Sequence, residues 1–92
     1  MNYYVYLLIS LENKKPITYV GYTNNLTKRL ILHNNGKGAK FTKGRKWKII
    51  YKCKYENQSI AMKEEYKFKK NYKLRTNLKK KFLKNELSKQ RN

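Results

Sequence analysis

Acidic residues are scarce in this sequence: five, against 24 lysines and arginines, which leaves a formal charge of +19. A chain so one-sided repels itself when folded and calls for a polyanionic partner. Nucleic acid is the first candidate, because each cation set against a phosphate releases condensed counterions. An acidic membrane surface is the second. The cations, however, are spread through strand, loop and helix patterns instead of gathering on one adsorbing amphipathic helix. No run has the length or unbroken apolarity of a spanning helix or a signal peptide, so a soluble, intracellular protein with no membrane partner is expected. The single cysteine, Cys53, excludes an intrachain disulfide and a Cys-rich zinc site, and its place in an alternating strand suits a small core residue. A chain of 92 residues has room for one core, and one domain over residues 1–87 with a frayed tail at 88–92 is expected. No internal repeat is present.

The most informative stretch runs from Tyr19 to His33 and reads as a strand end, a tight turn and a helix. The β-rich Tyr19-Val20-Gly21-Tyr22-Thr23 stops at Asn24 and Asn25, residues that cap a helix by accepting from its first N–H groups. The helix is predicted to start near Leu26 and to end near Asn34-Asn35-Gly36. With Leu26 at zero on the helical wheel, Leu30 falls at about 40°, His33 at about 340° and Arg29 at about 300°. Arg29 and His33 therefore border the buried face and can lean toward the sheet.

Tyr3 to Ile9 is β-branched and aromatic, with Tyr4, Tyr6 and Leu8 on one face and Val5, Leu7 and Ile9 on the other, so both faces are expected to be covered. Ser10 to Pro16 is a loop, and Ile17 to Tyr22 is expected to pair antiparallel with the first strand. That pairing would bring Tyr6 and Tyr19 to one side of the sheet. Trp47, Ile49, Tyr51, Cys53 and Tyr55 alternate with Lys46, Lys48, Ile50, Lys52 and Lys54 in the clearest strand pattern of the chain, and they predict one apolar core face. Asn57 to Tyr72 reads as a helix whose apolar stripe, Ala61, Phe68 and Tyr72, also contains Glu65, with Glu64 on its margin. An ionised acid in such a stripe needs a cation or metal beside it. Leu74 to Leu87 predicts a last helix that packs Leu74, Leu78 and Phe82 and leaves Lys79, Lys80, Lys81 and Lys84 wet. The order predicts an α/β fold: a small three-stranded antiparallel sheet flanked by helices, β-β-α-β-α-α.

Between the first helix and the third strand, the segment from Gly36 to Arg45 carries three glycines and four cations. Backbone N–H groups freed by glycine can crowd an anion while Lys37, Lys40, Lys43 and Arg45 supply charge, which marks them as candidate nucleic-acid contacts. Lys69 and Lys70, at the end of the next helix pattern, join that set.

Tyr4-Val5-Tyr6, Tyr19-Val20-Gly21, Thr23, Arg29, His33-Asn34, Gly36 to Lys40 and Ala61 to Glu65, in that order, resemble a GIY-YIG nuclease domain. The likeness spans roughly residues 3 to 70, is nearest to the minimal single-domain branch, and extends to the catalytic domain of the subunit that cuts branched DNA. The resemblance implies a metal-dependent endonuclease acting on DNA, branched or damaged DNA included, with Mg2+ or Mn2+ as cofactor. It places the tyrosines matching Tyr6 and Tyr19 in the catalytic cleft, the arginine matching Arg29 on the phosphate, and a single divalent cation on the glutamate matching Glu65. Tyr4 stands where the family name has glycine, and there it either narrows the cleft or packs; Val5 and Val20 stand for isoleucine. No zinc-finger module follows the domain within the 92 residues, which leaves selectivity to a protein partner.

The chemistry suits the residue types. Hydrolysis needs a water made nucleophilic, charge on the phosphoryl oxygens neutralised, and a leaving alkoxide stabilised. Arg29 can clamp non-bridging oxygens, and a cation on Glu65 can serve both oxygens and leaving group. Tyr19 is expected to be the base or water-orienting group, Tyr6 its partner, and His33 an orienting or proton-transferring group. The alternative is a nucleic-acid-binding module that keeps the nuclease fold without cutting.

Overall fold

The computed structural model describes residues 1–12 and 15–90. Its elements follow the expected order: strands β1 (Tyr3–Ser10) and β2 (Ile17–Thr23), helix α1 (Leu26–Asn34), strand β3 (Lys48–Tyr55), and helices α2 (Gln58–Lys70) and α3 (Tyr72–Gln90). The sheet is antiparallel with order β2-β1-β3. As the central strand, β1 is hydrogen-bonded on both edges and covered on both faces, and Val5 to Ser10 are all buried. Its unbroken apolar run from Tyr3 to Ile9 accounts for this: side chains of period two supply a core above and a core below.

On one face Tyr6, Leu8 and Trp47 pack with Leu26 and Leu30 of α1. On the other, Val5, Leu7 and Val20 pack with Ala61 and Phe68 of α2 and with Leu78 of α3. The helices thus lie on opposite sides of the sheet. Asn25 caps α1 as expected, its side chain accepting from Lys28 N at 3.0 Å, and Asn57 caps α2. The register sets Tyr6 opposite Gly21 and Leu8 opposite Tyr19, so Tyr6 and Tyr19 do share a face.

Three expectations are corrected. The alternation in β3 does not define one face, because a bulge intervenes: Leu7 pairs with Tyr51 and Leu8 with Ile49, leaving Ile50 as an extra residue. Trp47 and Ile49 consequently pack on the α1 side, Tyr51 and Tyr55 on the α2 side. The helix read as continuing to Tyr72 stops at Lys70. Arg75 donates to the carbonyls of Phe68 (3.1 Å) and Lys69 (2.8 Å), satisfying the end of α2, while Asn71 accepts from Leu74 N (3.1 Å) to start α3. Tyr72 is therefore 72% exposed and belongs to the next helix. Lys80, Lys81 and Lys84 are exposed as expected, but Lys79 is half-buried. Helical structure in α3 carries three residues beyond Leu87, to Gln90, into the tail expected to fray at 88–92; residues 91–92 of that tail and the loop positions 13 and 14 fall outside the described residues. No helix among the described residues is long and apolar enough to cross a membrane.

Candidate active site

Strand β2 lies at an edge of the sheet, and it lends Tyr19, Gly21, Tyr22 and Thr23 to a cleft of about 390 Å³. Along that edge side chains from opposite faces can meet. Tyr6 comes from the central strand, Arg29 and His33 from α1, and Glu65 from α2 on the far side of the sheet, and all of them line this one cleft with Tyr19. Tyr3 lines it as well, whereas Tyr4, the tyrosine in the place of the family's glycine, does not.

Each position has a local cause. Thr23 Oγ1 accepts from Asn25 N (3.1 Å) and so fixes the turn that launches α1, whose second residue beyond Thr27 is Arg29. At the other end of α1, the Asn34 side chain pairs with the backbone of Trp47, accepting at 2.6 Å and donating at 3.3 Å, which ties the helix to the start of β3. His33, beside Asn34, is thereby driven into the interior and is only 1% exposed.

A chain of hydrogen bonds defines the proton positions around this imidazole. The Ala39 carbonyl can only accept, so the Thr42 hydroxyl donates its one proton there, at 3.0 Å. Thr42 Oγ1 can then only accept from His33 Nδ1, at 2.8 Å, and His33 carries its proton on Nδ1. Its Nε2 lone pair faces the Tyr6 hydroxyl, which donates to it at 2.8 Å. The Trp47 indole donates to the Thr42 carbonyl at 2.8 Å and anchors the far end of the chain.

Electrostatics agree with that arrangement. Burial, and secondarily the Arg29 guanidinium, lower the His33 pKa and keep the ring neutral. Burial raises the Tyr6 pKa well above that of an ordinary phenol; Tyr19 and Glu65 push the same way, and Arg29 opposes them. Tyr6 is 2% exposed and remains a protonated donor at neutral pH. Tyr19 is half-buried, its ring 5.2 Å from that of His33 in an edge-on contact.

Two glycines permit this crowding. A Cβ at Gly21 would collide with the Tyr6 phenol, and one at Gly38 would collide with the His33 ring. Gly38 thus serves close approach to an imidazole, a different task from the anion cradle that its loop suggested. Of the loop cations, Lys37, Lys40 and Lys43 are exposed and Arg45 is half-buried. None of the four lines the cleft; Lys43 and Arg45 face a separate cavity with Glu12, Asn34 and Gly36. Lys69 pairs with Glu65 at 3.6 Å, and Lys70 lies over the Tyr66 ring. Thr42 and Asn34, which hold His33, carried no sequence signal beyond the placing of Asn34 after a motif histidine.

The Glu65 side chain is 18% exposed, and its carboxylate is the acidic donor of the cleft. Among the described residues no group of three or more His, Cys, Asp or Glu converges, and Nε2 of His33 is engaged by Tyr6. One carboxylate beside open, polar space fits a hard divalent cation, which keeps most of its waters and takes one or two carboxylates plus phosphate oxygens.

A family model described as the GIY-YIG catalytic domain matches residues 2–81. A UPF0213 protein of Oceanobacillus iheyensis is 47% identical over 68 residues, covering 73% of this chain and 76% of that protein. A UPF0213 protein of Clostridium perfringens is likewise 47% identical over 68 residues, covering 73% and 70%. An uncharacterised protein of Acanthamoeba polyphaga mimivirus is 41% identical over 92 residues, and this chain spans only 54% of its length. The solution NMR structure of a UPF0213 protein from Bacillus halodurans is 38% identical, with a TM-score of 0.42 and coverage of 75% of this chain and 71% of that one.

Proposed function

This chain belongs to the GIY-YIG catalytic domain family, and on that premise we propose that it is an endonuclease hydrolysing DNA phosphodiester bonds with a divalent cation, Mg2+ or Mn2+. The observation that carries the reading is the convergence of Tyr6, Tyr19, Arg29, His33 and Glu65 on one cleft from four separate elements.

The hydrogen-bond chain supports an assignment in which the expected parts of the two tyrosines are exchanged. Tyr6, which donates to a neutral His33, is the proton-transferring phenol. A water at the cleft gives a proton to Tyr6 Oη as the phenol proton passes to His33 Nε2, and the resulting hydroxide attacks phosphorus while the bond to the leaving oxygen breaks. Tyr6 alone, with its raised pKa, stays a protonated phenol at neutral pH and offers no basic form; coupling to His33 removes the need for a free phenolate. The imidazolium that forms is held by Nδ1–H to Thr42. Arg29 meets the charge growing on the non-bridging oxygens, and Tyr19 orients the water or the phosphate from the partly open side of the cleft. Glu65 would hold the cation, which supplies Lewis-acid neutralisation of the phosphoryl and leaving oxygens when bound.

The test is incubation of branched, nicked and linear DNA with magnesium or with chelator, for the unsubstituted protein and for Glu65→Ala. Cutting by the unsubstituted protein that needs the metal and disappears in Glu65→Ala is expected. Absence of metal-dependent cutting, or cutting unchanged in Glu65→Ala, removes the catalytic assignment.

A further inference from the structure

Beside the cleft, Phe41 is 58% exposed. A single exposed phenylalanine on a loop carries no meaning by itself. What distinguishes this one is how firmly it is presented. Its neighbour Thr42 is fully buried and fixed through three groups, its hydroxyl to His33 and Ala39 and its carbonyl to the Trp47 indole. The Phe41 ring lies 6.0 Å from that of Tyr19 at an interplanar angle of 21°, and 6.4 Å from that of Trp47. Tyr19 lines the cleft, so Phe41 continues an aromatic stack from the reacting pocket outward into solvent. Lys37, Lys40 and Lys43, in the same loop, are all exposed.

Cations that track a phosphate backbone, interrupted by an aromatic face open to water, are the means by which proteins hold unpaired nucleotides. Bases inside a continuous duplex offer no free face to such a ring; a base must already be unpaired or be taken out of the stack to reach it. We propose that Phe41 is a stacking platform for a nucleobase next to the phosphate to be cut, so that a nucleotide unpaired beside the scissile bond is held more tightly than a paired one. This inference rests on the nuclease reading and adds to it a residue that would contact a base beside the cleaved phosphate. Base stacking on an aromatic side chain gives an affinity gain on the order of tenfold.

The experiment uses the full chain carrying Glu65→Ala, which on the nuclease reading is to hold DNA without cutting it, and an oligonucleotide hairpin with one 2-aminopurine, either unpaired beside the stem or paired within it. The expected result is a change in 2-aminopurine emission on binding only at the unpaired position. Adding Phe41→Ala abolishes that change and weakens binding of the unpaired substrate by about tenfold, while paired DNA binds as before. Phe41→Trp restores both, and Phe41→Leu, which keeps apolar bulk without a ring face, restores neither. Equal binding of both DNAs by Phe41→Ala and its parent, or full rescue by leucine, overturns the proposal. The two readings fail separately. If the protein without substitutions cuts DNA and the emission change is missing, the platform alone is wrong; if the emission change depends on Phe41 and no DNA is ever cut, the platform stands and the endonuclease assignment falls.

Discussion

Gly21 sits directly across the β1–β2 ladder from Tyr6, so close that a Cβ at residue 21 would fall 2.6 Å from Cζ of the phenol ring. The glycine is a space reserved for one side chain. Gly21→Ala forces the Tyr6 ring or the strand to move, an overpacking that costs about 1–3 kcal/mol and lowers Tm by roughly 5–20 °C in a chain of this size. The phenol, once displaced, also loses its bond to His33, and cutting falls with stability. Tyr6→Phe removes the hydroxyl, one of the atoms in the way, so the double variant melts higher than the sum of the two single effects requires. Thermal melts of the four proteins check this; strict additivity contradicts it.

Much of this arrangement is visible in the sequence, and the parts that are not have physical reasons. The bounds of α1 follow from Asn25, Asn35 and Gly36, which act within a few residues of where they stand. Both faces of β1 follow from its period. The bulge does not, because Ile49 and Ile50 are equally apolar and either can turn to either core. The end of α2 escapes too, since Lys69-Lys70-Asn71-Tyr72 permits a helix and the stop comes from Arg75, reaching back to two carbonyls. In the site, Tyr6, Tyr19, Arg29, His33 and Glu65 are carried by motif order. Thr42 is not: a threonine in a basic loop has no periodicity to mark it, and its bond to His33 forms only when the loop folds back over nine residues.

Histidine titration gives a second prediction. His33 is the one histidine in the chain, and burial together with Arg29 lowers its pKa below the usual 6.5. The unfolded chain therefore takes up this proton at a higher pH than the folded one. The stability that His33 contributes is complete above pH 6.5 and is lost as pH falls through the depressed value. The acid limb of cutting lies below 6.5 for the same reason, since only the neutral ring accepts from Tyr6. An NMR titration of the single imidazole reads the pKa directly, and His33→Gln removes that limb together with most of the activity. A midpoint at or above 6.5 contradicts the assignment.

Binding to DNA is expected to be dominated by phosphate contacts, given a charge of +19 and exposed lysines at 37, 40 and 43. Lys40→Ala weakens binding to all sequences about equally and reduces the slope of log affinity against log salt by roughly one. Lys69→Ala behaves differently, because its ammonium pairs with Glu65: its removal frees the carboxylate and lowers the concentration of divalent cation needed for cutting. Titrations at several salt concentrations separate the two. A sequence preference that survives high salt contradicts the phosphate-dominated reading.

In the proposed relay Thr42 is a positioning residue, since it reaches the reacting groups only through His33. Its hydroxyl proton is committed to the Ala39 carbonyl, and this alone obliges Nδ1 of His33 to carry the ring proton and Nε2 to present a lone pair to Tyr6. Thr42→Val keeps the shape and removes both bonds. The imidazole is then free to carry its proton on Nε2, which turns the acceptor facing Tyr6 into a donor and stops the transfer. The wrong tautomer lowers kcat by roughly a hundredfold or more, while KM stays close to its original value because neither Arg29 nor Glu65 moves. Thr42→Ser, which restores the hydroxyl and omits only the methyl, recovers kcat. The 15N shifts of the His33 ring report the tautomer independently of any cutting. A valine variant that keeps Nδ1 protonated and turns over normally shows that Thr42 only fills space, and that the relay from Tyr6 needs no such orientation.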